Sequence, residues 1–444
     1  MEKSSSIKKT VLLLDSYSEE SVLLHQSLRR SGFDGPVIVI EDDGFLPEDV
    51  ISVYQYFSGK FEGKPRYFNQ INVPDFWEIS ASNSSGRVRD FTRDRGNIFY
   101  AEPKHKRLVR VVDWYDDRGT ARAGDHYNRY GALYARTFFN KEGKRFCRTY
   151  FDAEGRETLL ENYVTGDIIL NRGGKVHIIK SKVDLVLKVL KEMDLLDARI
   201  MYNSLSTPFF VSEKIQNTER EDILFWQEGV RDDVPGNMQF ILNGNSNRTK
   251  AIYVQKKESY NRFIELGVSG EMVKPLGFVY DFKGKNTFRN EALICTNSDQ
   301  IARCEELINA FPKMHFSIAA ITEMSSKLMS LGKYDNVSLY PNVHMDVIEE
   351  LFAICDYYLD INHGDEILSA VKEAFLHDQL ILAFRQTLHN KTYIAKEHVF
   401  EDFESMRKFL SSLIGNEQAI KKHLDLQKET AMAENRIAYE VVLK

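Results

Sequence analysis

The sequence predicts an α/β protein with two doubly wound, Rossmann-type domains, the first interrupted by an inserted antiparallel β-meander. Three observations predict it. Apolar runs of buried-strand type alternate with helical periodicity at the start of the chain and again from Glu291 onward. From about Lys64 to Lys180 that helical periodicity all but disappears. Within this stretch the turns "DDRG", "NRYG", "NKEG" and "DAEG" end at Gly119, Gly131, Gly143 and Gly155, each twelve residues after the last.

The first element, "TVLLLD", is a continuous apolar run suited to a parallel strand buried on both faces. "SEESVLLHQSLRRSGF" follows with Val22, Leu23 and Leu28 at helical spacing and Gly32 as a stop, and "GPVIVIED" is the next strand. In the meander, "ALYARTFF", "KRFCRTYF" and "RETLLENYV" run between Asp/Asn-x-x-Gly turns, the signature of consecutive hairpins. A propeller would need longer repeats. Helical spacing returns in "KVDLVLKVLKEMDLLD", after which "ARIMYNS", "EDILFWQE", "MQFILNG" and "KAIYVQ" read as buried strands of the resumed first domain. "VKPLGFVYDFKGKNTFRN" reads as an interdomain connection, and strand–helix alternation then runs from "EALICTN" to "QLILAF". The expected division is 1–63 and 181–282 for the first domain, 64–180 for the meander and 283–415 for the second domain. Residues 416–444 are expected to form a helical tail packing back on the first domain.

A chain of 444 residues exceeds one ordinary core. Hydrophobic content of 43% and charged content of 28% are those of a globular protein, and a net charge of −6 is too mild to select a class of partner. Cys147, Cys295, Cys304 and Cys355 are widely spaced with no C-x-x-C pair, which favours reduced cytosolic thiols over disulfides or a zinc site. The opening "MEKSSSIKKTVLLLD" is basic, but its apolar run is too short for a signal peptide. No stretch approaches the ~20 apolar residues of a membrane span. A cytoplasmic protein is expected, with peripheral attachment at the inner face of the membrane left open.

One motif points to a ligand. "NHGDEILSAVKEAF" places Asp365 and Glu373 eight positions apart on a loop running into a helix. A nucleotide-sugar site needs an acid for the ribose hydroxyls, glycines for close backbone approach, and cations or helix N-termini for the diphosphate. Here the first acid is the shorter aspartate, the glycine turn is replaced by "EIL", and Glu366 adds negative charge. After the first strand of the second domain stand Thr296, Asn297, Ser298 and Asp299, none of them cationic, and "LLLDSYSEES" lacks a glycine pair. In the plainer alternative Asp365 caps the helix and Glu373 is solvated or salt-bridged.

No P-loop, G-x-S-x-G, H-E-x-x-H or G-x-G-x-x-G is present, so no cofactor is expected. Asp360, His363 and Asp365 lack the further His or Cys residues of a metal site, and no metal is expected. From Arg87 to Arg156 there are 17 Lys and Arg against 10 Asp and Glu, interleaved with Tyr115, Tyr127, Tyr130, Tyr134, Phe138 and Phe139. A nucleic-acid surface could look like this. A thin sheet with one packed aromatic face explains it more simply, with no nucleic-acid partner and with edges suited to protein docking.

Two doubly wound domains with a decayed E-x7-E resemble the GT-B glycosyltransferase architecture. The pair "VVDWYDDRGTARAGDHYNRYGALYARTFFNKEGKRFCRTYFDAEG" and "YYLDINHGDEILSAVKEAF" resembles, more narrowly, one family. The family it resembles is that of the non-catalytic stabilising B subunit of the accessory Sec O-linked N-acetylglucosaminyltransferase. The resemblance implies a catalytic A subunit as hetero-oligomeric partner, which uses UDP-N-acetylglucosamine. It also implies a serine-rich repeat adhesin as acceptor, modified in the cytosol before export. Asp365 and Glu373 would then be remnants of a donor site, and no catalytic residue is expected. Trp226, Gln227, Asn362 and His363, which follow or end strands expected near the cleft, are the candidate acceptor contacts. The competing reading is an active GT-B glycosyltransferase using a nucleotide-sugar donor.

Overall fold

The computed structural model describes residues 9–268 and 270–444; residues 1–8, the basic N-terminal segment noted above, lie outside the described residues. The chain divides into two compact units, Met1–Pro275 and Leu276–Lys444.

The first unit is built on a parallel sheet of β1 (Thr10–Ser16), β2 (Val37–Glu41) and β3 (Val50–Ser52), continued after the meander. The meander itself runs through β4 (Glu78–Ala81), β5 (Ser85–Asp90), β6 (Arg93–Tyr100), β7 (Val109–Tyr115) and β8 (Ala121–Tyr127). It continues with β9 (Leu133–Phe139), β10 (Arg145–Phe151), β11 (Glu157–Asn162), β12 (Ile168–Arg172) and β13 (Lys175–Ile179). The parallel sheet then resumes with β14 (Arg199–Tyr202), β15 (Asp222–Trp226), β16 (Thr249–Val254) and β17 (Val273–Pro275), in the order β17-β16-β15-β14-β1-β2-β3. Val11 to Leu14 are fully buried, as a strand covered on both faces requires.

All ten meander strands pair with their sequence neighbours in one antiparallel sheet. The twelve-residue beat has a local cause. Asp116, Asn128, Asn140 and Asp152 each accept, at Oδ1, the amides two and four residues on, at 2.8–3.1 Å. Each turn closes on a glycine with φ between 74 and 78°. The sheet is not a free-standing excursion. Tyr134, Tyr150, Leu159, Ile168 and Leu170 join the core of the first parallel sheet, and Tyr150 stacks on Tyr54 with centroids 4.3 Å apart. β4 to β8 have a core of their own around Val88, Ile98, Val109 and Val112.

Two element expectations fail here. "MQFILNG" forms the helix Gly236–Leu242, because Met238 and Ile241, three apart, are the residues it buries. "VKP" is the edge strand β17 rather than connection.

The second unit holds β18 (Glu291–Thr296), β19 (His315–Ala320), β20 (Val337–Tyr340), β21 (Tyr357–Asp360), β22 (Leu380–Phe384) and β23 (Val399–Phe400), in the order β20-β19-β18-β21-β22-β23. The tail departs from expectation. Its helix Glu417–Thr430 lies on the second sheet, where buried Gln427 accepts from Ile381 N at 3.0 Å and donates to Gln379 O at 2.9 Å. Tyr439 donates to Gly277 O at 2.7 Å, and Phe278 N to Met432 O at 2.8 Å. A Cβ on Gly277 would stand 1.7 Å from Met432 O, so glycine is what lets the two segments meet. Residues 277–278 are thereby bound into the second unit, ahead of the expected 282/283 boundary.

Candidate functional site

In a doubly wound sheet the ligand crevice lies beyond the carboxyl ends of the strands, where strand order reverses. In the second sheet that point falls between β18 and β21, since β18 pairs with β19 on one side and β21 on the other. The segments leaving these strands, Thr296–Asp299 and Asn362–Asp365, fill it. The Thr296 hydroxyl lies 2.9 Å from Asn362 Oδ1 and 2.6 Å from Ser298 O, and Gly364 N donates to Asn362 Oδ1 at 3.0 Å. The backbones pair as well: Ala302 N donates to Ile361 O at 2.8 Å and His363 N to Gln300 O at 2.9 Å. A Cβ on Gly364 would stand 2.2 Å from Asn297 Oδ1. The crevice is closed by its own loops, and neither segment carries a lysine or arginine.

The turn into the helix Ala370–Leu376 keeps a left-handed backbone without glycine, with φ of 58° at Leu368 and 50° at Ser369. Glu366 Oε1 accepts from Val371 N at 2.9 Å, so Glu366 satisfies a free amide of the first helical turn and places an anion there. This corrects the capping role considered for Asp365, whose side chain is exposed. Glu373 pairs with Lys283 at 2.5 Å, the salt-bridged alternative. The two acids of the motif therefore serve different neighbours.

Behind this loop is a residue the sequence reading missed. His389 Nδ1 lies 2.5 Å from Asp360 Oδ1, and its Nε2 lies 2.7 Å from Gly364 O. Only the imidazolium donates at both nitrogens, and the hydrogen bond to buried Asp360 raises its pKa to about 9. Nothing in the local pattern announces a partner 29 residues away. The available signal was Asp360 itself, an acid ending a buried strand and in need of a cation. Asp360 is thus turned to His389, while His363 and Asp365 are exposed.

The corresponding point of the first sheet, between β1 and β14, is also filled. Asn203 Oδ1 accepts from Asp15 N at 2.8 Å, and Asn203 Nδ2 donates to Gln227 Oε1 at 3.0 Å. Gln227 Nε2 donates to Gln255 Oε1 at 2.8 Å and to Glu20 O at 3.1 Å. Gln227 ties strand ends together, and Trp226, 1% exposed, packs on Phe263. Both candidate acceptor contacts are thus interior residues, and β15 is buried along its whole length. Asn362 is likewise buried; of the four candidates only His363 is exposed.

Several arginines of the meander are held in ion pairs, including Arg95 with Asp90 and Asp117, Arg122 with Asp116 and Arg136 with Asp125. Tyr127 and Tyr134 are buried core residues rather than a stacking platform for bases.

Comparison with known proteins gives this geometry a family. Four domain families match in succession: the GtfB N-terminal domain over residues 11–57, the GtfB middle domain over 77–180, the GtfB third domain over 182–266 and the GftB/GlyA-F C-terminal domain over 292–427. The UDP-N-acetylglucosamine–peptide N-acetylglucosaminyltransferase stabilizing protein GtfB of Streptococcus pneumoniae is 44% identical, over 88% of this chain and 89% of that protein. This chain belongs to the GtfB family. The GtfB stabilizing protein of Streptococcus agalactiae is 40% identical over 98% of each chain. A chain of the crystal structure of a GtfA/B complex bound to UDP and GlcNAc matches with a TM-score of 0.89 and 41% identity, over 98% of this chain and 99% of that one. The accessory secretory protein 1, 2 and 3 structure from Streptococcus pneumoniae, at 11% identity and a TM-score of 0.62, shares the fold. The GT-B-like class expected from the sequence is therefore the fold of this GtfB-family chain.

Proposed function

We propose that this GtfB-family chain is the non-catalytic subunit of a protein O-GlcNAc transferase, stabilising its catalytic partner and holding a serine-rich repeat adhesin during cytosolic glycosylation before accessory Sec export. One observation carries the reading. The crevice where a nucleotide sugar would lie is filled by Thr296, Asn297, Asn362 and Gly364, and Glu366 already sets a negative charge on the adjoining helix. A diphosphate would have to displace a paired backbone and would find no lysine or arginine in either loop. The names of the relatives, stabilizing proteins of a peptide N-acetylglucosaminyltransferase, fit a chain in this condition.

In this reading residues 64–180 dock the catalytic subunit. The acceptor is a flexible, polar polypeptide held by many hydrogen bonds, each contributing only about 0.5–1.5 kcal/mol net, with repeats acting through effective concentration. His363 stays a candidate contact. Among the described residues no helix is long and apolar enough to cross a membrane.

The test is sugar transfer to a serine-rich repeat peptide by this chain alone, the catalytic subunit alone, and both mixed. The mixture is expected to be far more active than the catalytic subunit alone, and this chain inert. Robust transfer by this chain without its partner would overturn the reading.

A further inference from the structure

Among the described residues, Phe76 and Phe91 are the most exposed large apolar side chains, at 89% and 81%. Both hold left-handed backbone, with φ of 70° and 52°, where glycine or asparagine would be unstrained. Phe91 opens a two-residue hairpin loop, since Asp90 pairs with Arg93. Phe76 precedes β4, in a turn where Trp77 N donates to Pro74 O at 3.2 Å. Glu78 pairs with Arg89, so Phe76, two residues before the one, and Phe91, two residues after the other, stand at the same end of the sheet. Behind them the Arg95 guanidinium lies 5.4 Å from the Trp77 ring centroid, 3.0 Å from Asp90 and 2.6 Å from Asp117. One side chain thus holds three segments of this end of the sheet in place.

We propose that Phe76 and Phe91 form a preorganised aromatic anchor that inserts into an apolar pocket on the catalytic transferase subunit; this rests on the docking role proposed for the meander. Two solvated rings on strained backbone do nothing for the isolated fold. Both costs are recovered when the rings enter a pocket, and a rigid mount reduces the ordering loss on binding. The rim carries both signs, with exposed Arg87, Arg93 and Arg118 beside exposed Asp75 and Glu78. An apolar centre inside a mixed-charge rim is the layout of a protein interface. A rim of both signs lacks the uniform positive charge that an anionic bilayer or a nucleic acid selects, and a bilayer has no use for fixed backbone angles.

The test replaces both residues in the full chain, as Phe76→Gly/Phe91→Gly. Glycine relieves the left-handed strain, so the thermal midpoint of the isolated chain should hold or rise. Its affinity for the catalytic subunit should fall by roughly 30-fold or more, as for buried aromatic hot spots. Val164→Ser, which alters a 79%-exposed apolar residue elsewhere on the sheet, should leave affinity unchanged. Should glycine loosen the hairpin, Phe76→Asn/Phe91→Asn repeats the measurement with a residue that tolerates the same backbone. Wild-type affinity in a folded double variant overturns the anchor and leaves the docking role standing. Absence of any complex with the wild-type chain overturns both. Unchanged subunit affinity with lost sedimentation on phosphatidylglycerol vesicles overturns the protein pocket in favour of lipid.

Discussion

Glu366 and Val371 meet at the amino end of the helix Ala370–Leu376: the Glu366 carboxylate accepts from the Val371 amide at 2.9 Å, in its first turn. An anion at this end of a helix is favourable to the fold and unfavourable to a second anion arriving from solution.

Replacing Glu366 by alanine should therefore cost about 1 kcal/mol of stability, the usual effect of removing a helix cap, read as a lower urea midpoint. It should not create a donor site, because the Thr296–Asn362 contact and the paired backbone remain. Calorimetry of the variant with UDP-N-acetylglucosamine is expected to show no binding. Tight binding would mean that the carboxylate alone had kept the site shut.

The pair His389–Asp360 gives a pH dependence of definite sign. The folded-state pKa of His389 is raised to about 9 by its hydrogen bond to Asp360, above the ordinary 6.5. Its contribution to stability is therefore full below the unfolded value and is lost as pH rises through about 9. Urea midpoints of wild type and His389→Gln should differ most near pH 6 and converge by pH 10. A difference that stays constant over this range would reject the imidazolium assignment.

Two turn glycines with nearly the same backbone should respond differently to alanine. Gly155, φ 78°, has nothing within 4 Å of an added Cβ, so Gly155→Ala should cost only the left-handed penalty of about 1–2 kcal/mol. Gly131, φ 77°, would put that Cβ 2.4 Å from Lys64 O and should be distinctly worse. Equal losses of melting temperature would contradict the close packing of Lys64 on the Asn128 turn.

Trp226→Ala should destabilise the fold by about 3–5 kcal/mol, as large-to-small changes at fully buried aromatics do, since the side chain is 1% exposed against Phe263. A variant of wild-type stability that had lost acceptor binding would restore Trp226 to the role the sequence suggested for it.

Alternation and turn chemistry are local, and what depends on them was readable. The Asp116, Asn128, Asn140 and Asp152 turns, the buried run Val11–Leu14 and the doubly wound second sheet all follow from residues within a few positions of one another. "MQFILNG" shows where that stops: its apolar residues suit a strand or a short helix equally, and only burial of Met238 and Ile241 against the first core decides between them. The lack of a lysine or arginine in Thr296–Asp299 and Asn362–Asp365 was likewise legible, because composition alone states it. That the crevice is closed was not.

By itself, then, the sequence determined the fold class, the meander's rhythm and the chemistry missing from the second domain. Tertiary structure decided that Glu366 rather than Asp365 serves the helix, that Glu373 answers Lys283, that Gln227 and Trp226 are interior, and that His389 charges against Asp360. The physical reason is range. Hairpin turns and helical periodicity are set by neighbours along the chain, whereas burial and the choice of a charged partner are set by segments that only the folded sheet brings within 3 Å.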